Sequence, residues 1–144
     1  QRRKSRRPRT KTRCSPAGSV RCAYGSSVDV VYPGFGSIVI NGTRFDHDVA
    51  VEAGRVRPRK KGPSKPYRSR YGHTPLSTDE RIPWSSSRLV VGTGASGRLP
   101  IMPEVWEEAK DRGVELIVAP TAAACQVLAP IDDGEVYAIL HVTC

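Results

Sequence analysis

Two hydrophobic periods divide the chain. In its first half apolar positions recur every second residue, the spacing of a strand with one face buried. Val28–Tyr32, "VDVVY", reads as a short edge strand, and Ser37–Ile40 is rich in β-formers. Asn41-Gly42 follows, the strongest short hairpin signal, because both residues tolerate positive φ. Thr43–Glu52 then alternates, with Phe45, His47, Val49 and Val51 on one side and Arg44, Asp46, Asp48 and Ala50 on the other. This predicts one half-buried strand. Ala53-Gly54 makes a second turn and Arg55–Arg59 a third strand, so this half is an antiparallel meander. Residues 60–75 read as a long Gly/Pro/Lys/Ser loop, and Ser77 as the cap of a short helical turn ended before Pro83.

From Arg88 the period changes. Arg88–Val91 is a strand. Pro103–Arg112 is a helix with Pro in its first turn, Glu104 near the positive end of the dipole, and Gly113 as its stop. Val105, Trp106 and Ala109 form its apolar face, and Trp106 is expected in the core. "VELIVAP" (114–120) reads as a fully apolar buried strand. "TAAACQVLA" (121–129) is a second helix with Thr121 as its N-cap and Cys125 in the core. "EVYAILHVTC" (135–144) is the last strand. The β-α-β-α-β order implies at least two parallel strands with helices against the sheet. The fold class is α/β or α+β, a mixed sheet with a β-hairpin layer.

Charge adds a second division. The net +9 comes from two segments. Residues 1–13 hold eight Lys/Arg and no acid, and residues 55–70 hold eight more and no acid, whereas residues 71–144 carry −5. Residues 1–26 are expected to be a basic, disordered or loosely ordered arm, and 27–144 a single domain. The chain starts with Gln, which reads as a trimmed or processed start. No apolar run approaches the ~18 residues of a membrane span, and there is no secretory apolar region. The four cysteines, Cys14, Cys22, Cys125 and Cys144, lack zinc spacing. A Cys14–Cys22 disulfide needs an oxidising compartment. Free thiols in a reducing cytoplasm are the expectation, with no metal, no cofactor and no membrane association.

Gly92-Thr93-Gly94-Ala95-Ser96-Gly97 matches the dinucleotide pattern G-x-G-x-x-G. A dinucleotide loop works because the helix starts at the third glycine and aims its free N–H groups at the pyrophosphate. Here Leu99–Pro103 intervene before the helix. The acidic residue expected after the next strand is replaced by Ala119-Pro120-Thr121, and no P-loop Lys follows. The match is an accident of a Gly-rich turn.

"FGSIVINGTRFDHDVAV", Gly72-His73, "LVVGTG", a helix ending in "RGVELIVAPT-AA", and the terminal "AILHVTC" occur in that order. Together they resemble the MTH-nine-three-eight-like domain family, long a domain of unknown function, over about residues 34–144. Its relatives include an adipogenesis-associated protein and a mitochondrial assembly factor for respiratory complex I. The resemblance implies a three-layer fold around a central mixed sheet, a GTG turn that lines a cleft, and His73 as the foremost functional histidine.

Gly92, Thr93 and Gly94 follow one parallel strand, and Thr121 follows the next. The carboxyl ends of such strands are where open α/β sheets bind ligands. With His73 and Asp48 these residues form a candidate cleft for a small anion. The plain alternative is a strand–helix turn with an ordinary Thr cap. His141 with Asp46 or Asp48 could do acid–base work, but the sequence places no nucleophile beside them, and a terminal Cys144 thiol is poorly held. "WSSSR" lacks a nucleophile-elbow motif. Arg2, Arg3, Lys4, Arg6 and Arg7 in the arm and Arg59, Lys60 and Lys61 in the loop could grip phosphates, without any base-reading module. Three functions follow in order: a non-enzymatic protein-interaction or assembly module with an unidentified protein partner; a small-anion or small-molecule binding protein or enzyme; and non-specific nucleic-acid association.

Overall fold

A computed structural model describes residues 27–144. The arm residues Arg2, Arg3, Lys4, Arg6 and Arg7, and the Cys14–Cys22 pairing, lie outside them. Asn41 and Gly42 have φ of 50° and 86°, as a two-residue hairpin turn requires. They join β2 (Ser37–Ile40) to β3 (Thr43–Phe45), and β1 (Val30–Gly34) completes an antiparallel sheet in the order β1-β2-β3.

The alternating run 43–52 is not one strand. It breaks at Asp46–Asp48, and β4 (Val49–Glu52) belongs to a different sheet. Period-two patterning cannot distinguish a continuous strand from a chain that changes sheets without losing phase. Nor is β4 half-buried: Val49, Ala50 and Val51 are all buried because both of its faces are covered. β5 (Arg55–Pro58), β6 (Arg88–Thr93), β7 (Glu115–Ala119) and β8 (Tyr137–His141) complete the second sheet, ordered β5-β4-β8-β6-β7. β6 runs parallel to both β7 and β8, while β4 is antiparallel to β5 and β8. The fold is α+β with a five-stranded mixed sheet at its centre.

Alternate residues of that sheet feed two cores. Val49, Val51, Val90, Ala138 and Leu140 pack with Ile38 and Ile40 and with Ala124, Cys125 and Leu128 of α3 (Thr121–Leu128). Ala50, Leu89, Val91 and Ile139 pack with Val105 and Ala109 of α2 (Pro103–Asp111), and with Leu76 and Ile82. Three layers result. Burial pushes the Cys125 thiol up to about 11, which suits an inert core residue.

Local differences from the sequence expectation have identifiable causes. Trp106 is 47% exposed, because α2 faces the sheet with Val105 and Ala109 and Trp106 lies one residue round the helix from that stripe. β7 is an edge strand with half-buried residues and an exposed Glu115, not a fully buried one. The N-cap of α3 is Pro120, and the Thr121 hydroxyl is turned elsewhere. The supposed long loop 60–75 contains a 3-10 segment, Gly62–Tyr67, and a four-residue helix, α1 (Arg68–Tyr71). Residues 77–80 form a turn rather than a helix, with Ser77 O accepting from the Glu80 N–H at 3.2 Å.

Candidate functional site

Three strand ends meet at one side of the central sheet. Asp48 precedes β4, Arg59 follows β5, and His141 ends β8. The registers Val49↔Pro58 and Val49↔Leu140 make these three residues cross-strand neighbours. Their side chains are 5%, 2% and 12% exposed. Asp48 is the hub. Its Oδ1 accepts the Val142 N–H at 3.0 Å, and its Oδ2 accepts Arg59 Nη1 at 2.9 Å and His141 Nδ1 at 2.7 Å.

Arg59 reaches the other way with equal completeness. Its Nε and Nη2 each meet the Glu80 carboxylate at 2.8 Å, and Nη2 also donates to the Pro75 carbonyl at 3.1 Å. The buried Ser64 hydroxyl donates to Glu80 Oε2 and lies 2.7 Å from Ser77 Oγ. The basic loop is therefore pinned to the sheet by a buried, hydrogen-bonded ion cluster. Arg59 is thus not a phosphate-gripping residue. A pattern of charges along a chain does not reveal which one is drawn inward by a carboxylate.

Burial works to raise the Asp48 pKa. The hydrogen bond and charge of His141, the Val142 N–H and the charge of Arg59 outweigh it and hold Asp48 at about 2. Burial likewise opposes the Arg59 charge, but its bonds to and the charges of Glu80 and Asp48 raise its pKa further. An ionised Asp48 can only accept, so Nδ1 of His141 carries a proton. Asp48 therefore orients the ring and leaves Nε2 toward solvent and toward Thr143 Oγ1, 3.3 Å away.

His141 and Thr143 both line a cavity of about 200 Å³, together with Lys61, Arg68, His73, Thr74 and Cys144. No Asp or Glu side chain lines it. Lys61 and Arg68 come from the pinned basic loop, and His73 follows Gly72, whose φ of 78° ends α1. Two larger hollows lie elsewhere, one beside Ser85–Arg88 and one beside Arg55, Arg57 and Arg81.

The candidate cleft of the sequence therefore divides. His73 lines this pocket and Asp48 backs it. Gly92, Thr93, Gly94 and Thr121 do not line it and serve as a clamp on the segment after β8. Thr121 Oγ1 accepts the Gly94 N–H at 2.8 Å and donates to the His141 carbonyl at 2.6 Å. The Ala95 N–H bonds Thr143 O, and the Ser96 and Arg98 N–H groups bond Cys144 O. Thr121 N–H bonds Gly94 O, and Gly97 N–H does the same. The N–H groups of residues 94–98 in and after the GTG turn are thus already used within the protein, that of Gly94 by the Thr121 hydroxyl and the rest by backbone carbonyls. Thr93 is buried, 5% exposed, against this turn.

Lys61, drawn from the phosphate-gripping set, joins the pocket, while Lys60 lies exposed outside its lining. Arg68 and Thr143 were not singled out by the sequence. The signal for Thr143 was present: two residues after His141, it shares that residue's face. Arg68 gave no such signal, since α1 was hidden in an apparent loop. Asp46, exposed at 72%, pairs only with Arg44.

Among the described residues no helix is long and apolar enough to cross a membrane. No curated protein matches the chain. Solved structures do. A conserved hypothetical protein from Pyrococcus horikoshii is 29% identical, over 81% of this chain and 99% of its own, with a TM-score of 0.64. A protein named MT938 is 24% identical, over 82% and 100%, with a TM-score of 0.57. A Mth938-like domain from Bordetella pertussis is 20% identical over 92% of both chains, with a TM-score of 0.53. The last two support the fold alone. The model of the family described as "Protein of unknown function (DUF498/DUF598)" matches residues 31–129. That match spans more than half of the chain, so the chain belongs to the DUF498/DUF598 family, and it shares the fold of the Mth938-like structures.

Proposed function

We propose that the protein binds a small anion in the pocket between the basic loop and the end of β8. The carrying observation is the pocket wall: Lys61, Arg68, His73 and His141 converge on one small cavity with no carboxylate side chain among its lining residues. Holding the Lys61 and Arg68 charges on one wall is unfavourable in isolation, and an anionic guest removes that cost. The cavity's about 200 Å³ suits a phosphate, a sulfate or a small organic acid. It falls below the ~300–1,000 Å³ of pockets that enclose drug-sized ligands. A dinucleotide is not the guest.

Inorganic phosphate is expected to stabilise the fold. At about a hundred times its Kd the gain is about 2.7 kcal/mol, and a thermal midpoint shift of several degrees accompanies it. Replacing Lys61 and Arg68 together by alanine should abolish the shift while leaving the unliganded midpoint nearly unchanged, since both side chains reach the pocket from the loop surface. An equal shift in the double variant would sink the proposal.

One observation favours the interaction-module reading as well. Val31, Pro33 and Phe35 stand at i, i+2 and i+4 on β1 and its turn, and all three are exposed, Phe35 by 68% and Val31 by 48%. An apolar stripe of this kind is a common place for a protein partner to dock. Phe35→Asp is expected to cut recovery of a nuclease-resistant partner from native extract at least tenfold. Recovery that vanishes with nuclease would move the weight to nucleic acid held by the basic arm, which lies outside the described residues.

A further inference from the structure

We infer that the pocket is also a reaction site, in which Thr143 is acylated by small anionic esters and the product is then hydrolysed. The inference rests on the anion-binding proposal above and adds an activity to it. Three observations carry it. Asp48 and His141 form a 2.7 Å pair with Nδ1 as donor, which leaves Nε2 as the ring nitrogen that can take a proton. Thr143 Oγ1 lies 3.3 Å from that Nε2, a separation that tightens in a reacting complex. Lys61 and Arg68 face the same cavity, where they can hold the guest's carboxylate or a developing oxyanion. Nucleophile, base, orienter and cationic wall thus occupy one small site.

The backbone on either side of Thr143 is fixed. Val142 O accepts the Tyr32 hydroxyl and the Gly36 N–H, both at 2.7 Å, and Thr143 O accepts the Ala95 N–H at 2.7 Å. The backbone that carries the hydroxyl is thereby held by two separate parts of the chain, β1 with its turn and the GTG turn. Asp48 touches no guest and acts as a positioning residue.

In the first step Thr143 Oγ bonds the ester carbonyl carbon as its proton passes to His141 Nε2. The carbon–oxygen bond to the alcohol then breaks, and the alcohol leaves with that proton. In the second step water attacks the Thr143 ester and gives a proton to Nε2. The acid leaves, and Thr143 Oγ recovers the proton. The sum is ester plus water to acid plus alcohol, with no other reactant.

The test is incubation of the full chain with the mono-4-nitrophenyl ester of terephthalic acid, whose carboxylate cannot reach its own ester, following nitrophenolate release, intact mass and the mapped adduct. A burst with one 4-carboxybenzoyl group on Thr143 is expected. It should be at least tenfold faster than with the neutral 4-nitrophenyl benzoate, retained in Thr143→Ser, and lost in Thr143→Val. His141→Asn should slow it about 100-fold or more. Adducts confined to lysines, or an undiminished burst in Thr143→Val, would overturn the inference. Phosphate calorimetry on the same sample separates the two proposals. Phosphate binding without an adduct on Thr143 overturns the reaction alone. Absence of both overturns the pocket reading too.

Discussion

Replacing Asp48 by alanine is expected to destabilise the fold by about 3–5 kcal/mol, the range for breaking a buried ion pair and stranding its partner. The Asp48 side chain is 5% exposed and receives three donors, from Arg59, His141 and Val142. Its loss leaves the Val142 N–H unpaired and the Arg59 Nη1 without its acceptor, although Glu80 still holds the other side of that guanidinium. It also frees the His141 ring, so anion affinity falls with stability. Equilibrium urea unfolding measures the first effect.

The same carboxylate gives the protein a defined acid limit. Its pKa is about 2 in the fold against an ordinary 3.8. A depressed pKa means that the unfolded chain binds the proton first, so Asp48's contribution is complete above about pH 4 and is lost as pH falls through about 2. The loss is about 2 kcal/mol. Comparing unfolding at pH 6 and pH 2 in the wild type and in Asp48→Asn isolates it, because the variant lacks this group's part of the acid dependence.

Gly94→Ala is the second large effect, expected at about 2–4 kcal/mol from backbone strain and overpacking together. Gly94 has a φ of 102°, which L side chains rarely adopt. A Cβ there would run into the Cys144 backbone and lie 2.7 Å from Thr143 O. The clamp and the pocket share that segment, so phosphate affinity should fall along with stability. Gly134→Ala is the matched control. Nothing lies within 4 Å of its added Cβ and its φ is not left-handed, so its effect should stay within about 1 kcal/mol.

The regular C-terminal half was legible because helix and strand periods there are unmixed. Pro103 starts α2, Gly113 (φ 69°) follows it, and the parallel strands lie where two crossovers require them. The site was legible only in fragments. His73 and Asp48 stood in one candidate cleft and His141 was matched with Asp46 or Asp48, but Lys61 stood apart among the phosphate-gripping residues and nothing drew the sets into one pocket. What joins them is the cross-strand alignment of residues 48, 59 and 141, which depends on β8 inserting beside β4. Sequence spacing does not encode that insertion. The GTG turn misled in the opposite direction. Its residues suggested one wall of a small-anion cleft, whereas Gly94 lets Cys144 approach and take the Ser96 and Arg98 N–H groups.

The chain contains three histidines, His47, His73 and His141, and this gives a direct test of the pocket. His73 and His141 line it, while His47 is exposed and packs edge-on to Phe45, outside the lining. The measurement is an NMR titration of the imidazole resonances of the full chain with inorganic phosphate at constant ionic strength and pH. Saturable shifts of His73 and His141 with one common Kd are expected, while His47 stays fixed. Three histidines moving together without saturation, or none moving, would contradict it.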